Sequence, residues 1–326
     1  MWLLLALACG AGAPEVHQIR GEAFGTTWTV KWLGDADPAM PDVLAGVLEE
    51  VDAGMSTWRP DSEINRVRQT EGPVEVSRDT YEVVVAALTL ASVTGGAFDP
   101  TVQPLVELWG FHGERRTTLP SEEALANARG LVGVERVKTR SDEGFWVDGG
   151  GTALDLSAIA KGHAVDQVSR AVLSRGHENH LVEIGGEVRA AGGGPSGTGW
   201  RLGVDAPEEG LEGGEKLAAI LTLVDRSLAT SGNYRNVYEI DGVTVGHTLD
   251  PRTGRPAVNE VRSATVVADD CRSADGWATA LMVLGTEGLP LVEASAPIEA
   301  MLLVEGAEGI TEVSTTGMGR YRNPAP

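Results

Sequence analysis

Apolar residues recur along this chain with two different periods, which separate the predicted helices from the predicted strands. Apolar positions three and four residues apart predict amphipathic helices over 41–54, 77–94, 121–130, 157–175 and 273–285. In these segments Ser157 and Ser273 are expected to cap their helices, since serine is a favoured N-cap residue. Gly285 suits the position that follows a last helical turn.

Short runs of β-branched and apolar residues, bounded by glycine or polar turns, predict the strands. These runs lie at 24–32, 134–139, 145–147, 152–156, 181–184, 200–204, 217–224, 264–267, 300–304 and 311–314. A hairpin is predicted where Asp241-Gly242 separates 237–240 from 243–245. Because helices and strands alternate irregularly, the pattern predicts an α+β fold with helices packed on mixed sheets.

The composition indicates a globular and strongly acidic protein. The chain has 326 residues, of which 42% are hydrophobic, and this is enough for a substantial core. Lys and Arg number 26 against 47 Asp and Glu, so the net charge is −21. Such a balance argues against a nucleic-acid-binding protein, which needs a basic face for phosphates. The sequence also contains neither a Rossmann nor a Walker A glycine pattern.

The first twenty residues are predicted to be an export segment with a short linker, and residues 21–326 one folded domain. An apolar run over 2–8 precedes Cys9 and several small residues, as in a signal with a lipoprotein-type cysteine. The run has no Lys or Arg before it, and Ala6 stands where leucine is usual; a misplaced start codon would explain both. The alternative is a frayed apolar terminus. With Cys9 lipidated, we expect an extracytoplasmic lipoprotein at the periplasmic face of the inner membrane.

Candidate metal ligands follow the predicted strand at 264–267. Asp275 and Thr279 are four residues apart, so their side chains share one face of the predicted helix. A carboxylate and a hydroxyl on a rigid element are hard oxygen ligands of the kind that Mg²⁺ takes. The alternative interpretation is that Asp275 only complements the helix dipole in the first turn.

Two further stretches carry candidate chemistry. The junction 154–162 joins a strand end to a helix start, where free amides favour an anion. Lys161 would add a positive charge there and Asp155 an acceptor, although a capped helix with a surface lysine would look the same. His247 is a candidate proton acceptor, but a lone histidine is more often structural. The polar turn at 230–234 is a candidate pocket wall.

Eight stretches, taken together, resemble the ApbE family of FAD:protein FMN transferases. They stand in family order over about 24–285: FGTTW, MSTWRPDSEIN, GGAFDPTVQPLVELWGF, LDLSAIAKGHAVD, HLVEIGGEVRAAGG, LATSGNY, HTLDPRTGRP, and SATVVA with ADGWATALMVLG. The resemblance implies an ApbE-like α+β fold, with helices on mixed and antiparallel sheets and an active site in a cleft between two subdomains. It also implies the activity. Family members use Mg²⁺ to cleave FAD, attach FMN by a phosphoester bond to a threonine of a partner flavoprotein, and release AMP.

The resemblance further implies roles for individual residues. Asp275 and Thr279 would hold Mg²⁺ together with backbone oxygens of Ala158 and Ala278, and His247 would deprotonate the acceptor threonine. FAD would lie against Phe24, Trp58, Ala97, Phe98, Asp99, Asp155, Lys161 and Leu249. Phe24 stands where the family usually has methionine, and another apolar side chain can still cover a ring. The implied acceptors are subunits of flavin-dependent redox pumps and other exported flavoproteins.

Two other functions are open on the sequence alone. A Mg²⁺-dependent FAD pyrophosphatase would use water in place of threonine and release free FMN. A non-catalytic FAD-binding lipoprotein would store or present flavin without turnover. The combination of Asp275, Thr279, Lys161 and His247 argues against this carrier, because a binding module does not need a base beside a metal.

Overall fold

The structure is a computed structural model, and it describes residues 15–113, 115–207, 214–233, 237–295 and 297–322. The described residues contain eight α-helices: α1 (Met40–Met55), α2 (Glu63–Gln69), α3 (Arg78–Val93), α4 (Gln103–Trp109), α5 (Glu122–Arg129), α6 (Ser157–Ser174), α7 (Cys271–Leu284) and α8 (Leu289–Ala294). None of the helices in these ranges is long and apolar enough to cross a membrane.

The strands, in chain order, are β1 (Val16–Ala23), β2 (Thr26–Leu33), β3 (Val74–Glu75), β4 (Lys138–Arg140), β5 (Trp146–Asp148), β6 (His180–Ile184), β7 (Glu187–Ala191), β8 (Trp200–Asp205), β9 (Leu217–Leu223), β10 (Arg226–Gly232), β11 (Val237–Ile240), β12 (Val243–Gly246), β13 (Leu249–Asp250), β14 (Arg255–Pro256), β15 (Val261–Ala268), β16 (Glu299–Gly306) and β17 (Gly309–Ser314). One eight-stranded sheet has the order β1-β2-β6-β7-β10-β15-β16-β17. All of the pairings between neighbouring strands in this sheet are antiparallel. The predicted α+β fold is therefore confirmed, and this sheet is antiparallel rather than mixed.

The two faces of the large sheet are covered by different elements. Helices α6 and α7 pack on its central strands, and α1 packs on α6. Alternate residues of β6 belong to opposite cores: Val182 and Ile184 join the helical core, whereas Leu181 joins the core beneath the β8–β9 hairpin. The strands are therefore apolar on both faces, as expected of a sheet enclosed between two layers.

A third apolar cluster holds together a smaller part of the fold, which we call the small unit. It consists of α4, α5 and the strands β11 to β14. Leu105 and Trp109 of α4 pack there with Leu249 of β13. The indole N–H of Trp109 also donates to the carbonyl of Gly254 at 2.8 Å, which fixes α4 against the β13–β14 turn.

Helices α6 and α7 approach each other so closely that only glycine fits at one position between them. A Cβ built on Gly162 would lie 2.3 Å from the carbonyl oxygen of Cys271. The N–H of Gly162 donates to Asp275 Oδ2 at 2.9 Å. In return, the Asp166 carboxylate accepts the N–H groups of Cys271 and Arg272 at 2.8 and 3.0 Å. Each helix thus supplies a carboxylate to the backbone of the other.

The two helix starts differ from the prediction. Helix α7 begins at Cys271, and Asp270 is its N-cap, with Oδ1 accepting the N–H of Ser273 at 2.8 Å. Ser273 is therefore not the cap, because an aspartate three residues earlier offers an equally good acceptor. Helix α6 begins at Ser157 without a capping side chain at the preceding position. Asp155 instead accepts the Ser157 N–H at 2.8 Å.

Other differences concern short or extended segments. The predicted strand over 152–156 is a loop, in which the Asp155 N–H donates to the carbonyl of Pro100 at 2.7 Å rather than to a neighbouring strand. Residues 134–136 form a 3₁₀ turn and only 138–140 are a strand. The turn expected at 230–234 continues strand β10 as far as Gly232.

The N-terminal boundary also differs from the predicted one. Strand β1 begins at Val16 and pairs along its length with β2, so the folded part starts inside the range 1–20 predicted as signal and linker. Cys9 lies outside the described residues. The lipoprotein interpretation of that cysteine therefore stays a prediction.

The contact between α6 and α7 gives a test of stability. In Gly162→Ala the new methyl group would meet backbone atoms that cannot rotate away, so we expect a loss of about 1–3 kcal/mol in the free energy of unfolding. Urea denaturation followed by circular dichroism measures this change.

The matched control is Gly46→Ala in α1, where nothing lies within 4 Å of a built Cβ. It should stabilise the protein by roughly 0.5–1 kcal/mol through helix propensity. Equal effects of the two substitutions would contradict the packing argument.

Candidate active site

A cleft of about 660 Å³ opens between the small unit and the body formed by the large sheet with α6 and α7. This volume falls in the usual range of small-molecule sites. The cleft is lined by most of the residues that the sequence singled out: Ala97, Phe98, Asp99, Asp155, Ala158, Lys161, His247, Leu249, Asp275 and Thr279. Thr230 and Ser231, from the segment predicted as a pocket wall, line it too.

Three predicted site residues do not line this cleft. Phe24 has a positive φ of 54° in the β1–β2 turn and packs partly against the helical core. Trp58 is 68% exposed, and its ring lies 4.0 Å from that of His112. Ala278 is fully buried inside α7. The structure thus brings the metal and anion candidates together but places these three outside the lining.

The charged centre of the cleft consists of one lysine and two buried carboxylates. Lys161 Nζ lies 2.8 Å from Glu187 Oε1 and 3.6 Å from Asp275 Oδ1. Burial alone would lower the pKa of Lys161, but attraction to Asp275 and Glu187 outweighs it and raises that pKa. The raised pKa favours the charged ammonium form of this lysine, which lines the cleft.

Glu187 is the site residue that the sequence interpretation missed. Burial raises the pKa of its carboxyl to about 7; repulsion from Asp275 acts in the same direction, and Lys161 opposes both. Its Oε2 has no hydrogen-bond partner among the described residues. The glutamate follows the Gly185-Gly186 turn inside one of the eight family-like stretches. This position in the sequence could have identified it as a candidate site residue.

The oxygen donors of the cleft fit a hard divalent cation. The described residues hold no cluster of three or more His, Cys, Asp or Glu side chains that could bind a metal. Asp275 and Thr279 nevertheless present a carboxylate and a hydroxyl, and Thr279 Oγ1 lies 3.4 Å from Ser231 Oγ. Ala158 lines the same wall, and its carbonyl oxygen has two lone pairs. One carboxylate with neutral oxygens is the donor set of a cation that keeps water or substrate ligands.

The start of helix α6 forms a candidate anion-binding wall of the cleft. Ser157 and Ala158 line the cleft in the first turn of this eighteen-residue helix, which is its positive dipole end. Asp155 uses Oδ1 to hold the Ser157 N–H. Asp99 uses Oδ1 to accept from the Thr101 N–H and hydroxyl at 2.8 and 2.6 Å, and burial raises the pKa of Asp99.

His247 lines the cleft from the small unit. It follows strand β12 of the small unit and precedes β13. The hydroxyl of the next residue, Thr248, donates to Asn233 Oδ1 at 2.7 Å, which fixes this connection to the end of β10. His247 therefore lines the same cleft as Lys161 and Asp275.

Comparison with known proteins gives consistent matches over nearly the whole chain. The sequence model of the ApbE family matches residues 24–302. The FAD:protein FMN transferase of Vibrio cholerae is 40% identical over 322 residues, which cover 96% of this chain and 95% of that protein. The FAD:protein FMN transferase of Haemophilus influenzae is 33% identical over 326 residues, which cover 96% of this chain and 94% of that protein.

Solved structures agree with these matches. The flavin transferase ApbE from Vibrio cholerae superimposes with a TM-score of 0.85 at 36% identity, covering 94% of this chain and 99% of that one. The apo form of the Pseudomonas stutzeri flavinyl transferase ApbE gives a TM-score of 0.83 at 33% identity, covering 96% and 98%. The family prediction made from the eight stretches is confirmed: the chain belongs to the ApbE family.

Proposed function

We propose that this protein is a Mg²⁺-dependent FAD:protein FMN transferase, which cleaves FAD, joins FMN to a threonine of a target flavoprotein and releases AMP. The observation that carries the proposal is the meeting of three kinds of group in one cleft. Asp275 and Thr279 supply oxygen ligands, Lys161 and the start of α6 supply an anion site, and His247 supplies a base. Relatives that span nearly the whole chain bear the name of this activity.

The cleft offers FAD both apolar and polar surface. Ala97, Phe98 and Leu249 provide apolar walls suited to a ring system. The Lys161 ammonium and the first turn of α6 provide positive potential for the pyrophosphate. The net charge of −21 does not oppose this, because local groups determine binding whereas the overall charge acts mainly through long-range steering.

The cation would be held by the Asp275 carboxylate, the Thr279 hydroxyl and the Ala158 carbonyl. The role of the Ala278 carbonyl as a further ligand stays a prediction. When bound, Mg²⁺ would neutralise charge on the pyrophosphate oxygens, which is the main requirement of phosphoryl transfer. The protein's own part is to fix these donors in place. The N–H of Gly162 holds Asp275 Oδ2 at 2.9 Å, so the carboxylate is oriented by the backbone of the neighbouring helix.

His247 is the proposed general base. A threonine hydroxyl is a weak nucleophile and reacts well only when a neighbouring group takes its proton. In the proposed step the threonine oxygen forms a bond to the phosphorus of the FMN half. The bond from that phosphorus to the AMP oxygen breaks, AMP leaves with the bonding electrons, and the threonine proton passes to His247.

We also propose that the protein works outside the cytoplasm, anchored through a lipid on Cys9. The support is the apolar run and the small residues around that cysteine in the sequence. Appearance of a Cys9→Ser variant in the soluble fraction, with the wild type in the membrane fraction, would support the anchor. Equal fractionation of both proteins would argue against it.

The function is tested by incubating the purified protein with FAD, Mg²⁺ and a threonine-bearing acceptor domain, and then measuring intact mass. We expect the acceptor to gain the mass of FMN minus water, with one AMP released per adduct. Chelation of Mg²⁺ by EDTA should stop both products, and added Mg²⁺ should restore them. Free FMN and AMP without an adduct on any acceptor would indicate a pyrophosphatase, and intact FAD would indicate a flavin carrier.

Replacement of the proposed metal carboxylate should separate binding from turnover. Asp275→Asn keeps an oxygen for the Gly162 N–H but loses the charge, so we expect transfer to fall by about 100-fold or more while FAD still binds. FMN transfer and quenching of flavin fluorescence measure the two quantities. The matched control is Asp270→Asn. Asp270 caps helix α7 and does not line the cleft, and asparagine is also a good N-cap residue. This variant should therefore transfer FMN at close to the wild-type rate. Full activity of Asp275→Asn would refute the metal assignment.

Loss of the proposed base should slow the chemical step without displacing substrate. For His247→Asn we expect FMN transfer to slow by about 100-fold or more, the usual contribution of a general base, with FAD affinity little changed. Single-turnover transfer measures the rate. His17→Asn is the control, since this histidine belongs to strand β1 and does not line the cleft. Wild-type rates in His247→Asn would return the histidine to a structural role.

A further inference from the structure

The ammonium of Lys161 lies between two buried carboxylates but is hydrogen-bonded to only one of them. Its distance of 2.8 Å to Glu187 Oε1 is that of a charge-assisted hydrogen bond. Its distance of 3.6 Å to Asp275 Oδ1 is too long for one. Because Asp275 Oδ2 is held by the N–H of Gly162, Oδ1 is the oxygen for which Lys161 and a cation would compete.

The competition matters because the lysine side chain is flexible and strongly attracted to carboxylates. Its four-carbon stem can reorient with little cost. Among the described residues, the carboxylates within 4 Å of Nζ are those of Glu187 and Asp275. Without the charge of Glu187, Lys161 would therefore move onto Asp275 Oδ1 and occupy the position of the cation.

We propose that Glu187 is a positioning residue, which holds Lys161 away from Asp275 and thereby keeps Asp275 Oδ1 available to the divalent cation. The inference rests on the proposed role of Asp275 as a metal ligand. Glu187 then acts through Lys161 and need not touch the cation itself.

The surroundings of Glu187 indicate that its charge serves the site more than the fold. The residue begins strand β7 directly after the Gly185-Gly186 turn and is buried. Its Oε2 lacks a hydrogen-bond partner among the described residues, and burial of a carboxylate with an unpaired oxygen is costly. An amide or apolar side chain would pack there at lower cost. The contrast is Glu183 in the same cleft, whose Oε1 accepts the N–H of Gly186 at 2.9 Å and so has a local structural role.

The test measures cation affinity directly, without FAD, on the full-length protein. Mn²⁺ replaces Mg²⁺ as the probe, and the free ion is quantified by electron paramagnetic resonance. We expect Glu187→Gln to bind Mn²⁺ about tenfold more weakly, the scale on which partners of metal ligands act. Lys161→Met should bind Mn²⁺ at least as tightly as the wild type, because Glu187 already holds the ammonium away from Asp275 Oδ1 in the wild type. The double variant should regain at least wild-type affinity.

The control separates positioning from general electrostatics. Glu183→Gln removes one negative charge from the same cleft but leaves the pairing of Lys161 intact, so its Mn²⁺ affinity should stay within about twofold of wild type. A crystal structure of Glu187→Gln should show Lys161 Nζ within hydrogen-bond distance of Asp275 Oδ1. Equal weakening by Glu183→Gln, or an unmoved lysine, would overturn the proposal.

Each remaining outcome also decides the question. A double variant as weak as Glu187→Gln would mean that the glutamate ligates the cation itself, and the proposal would fail. A lower melting temperature of Glu187→Gln with unchanged Mn²⁺ affinity would show a purely structural role. If that variant does not fold, Lys161→Met decides alone, since binding weaker than that of the wild type would exclude competition between the ammonium and the cation. Absence of Mn²⁺ binding to the wild type would overturn both this inference and the proposed metal role of Asp275. If the Mn²⁺ affinities are as expected but no FMN is transferred, only the proposed transferase activity would be overturned.

Discussion

The exchange of carboxylates between helices α6 and α7 is the interaction on which the cleft depends. A buried helix start leaves N–H groups that need acceptors. The first turn of α7 receives them from Asp166 of the neighbouring helix and from its own cap, Asp270. Asp275 returns the bond to the backbone of Gly162. The absence of a side chain at Gly162 lets the helices approach closely enough for these bonds, so Lys161 and Asp275 are set at a fixed separation.

The two walls of the cleft are held by different means. The wall with the proposed metal and anion groups is carried by helices that are packed on the sheet and joined to each other. The wall with His247 is carried by the small unit, whose apolar cluster is separate from the two larger cores. The bond from Thr248 to Asn233 links the two parts close to the histidine. Positioning of the proposed base therefore depends on a side-chain hydrogen bond and on loops, whereas positioning of the proposed metal ligands depends on rigid helices.

The sequence predicted what is local and missed what depends on tertiary contacts. The spacing of Asp275 and Thr279 was enough to place both on one helix face, because the helical period is fixed. The start of α7 was misplaced because Asp270 and Ser273 are both good caps, and packing against Asp166 favours the earlier one. Helices α2 and α4 have seven residues each, too few for a clear period. The pairing of Glu187 with Lys161 joins a strand to a helix, so no pattern along the chain reveals it.

If the proposed metal site is correct, the charges of the cleft favour cooperative binding of the cation and FAD. Asp275 and Glu187 are opposed by a single ammonium, and burial raises the pKa of Glu187. An anionic pyrophosphate that approaches this centre alone meets the Asp275 carboxylate beside the lysine. A divalent cation at the proposed site would neutralise the Asp275 carboxylate, and the same cation would gain ligands from the pyrophosphate. Because coupling between two ligands is reciprocal, the factor by which the cation tightens FAD binding equals the factor by which FAD tightens cation binding.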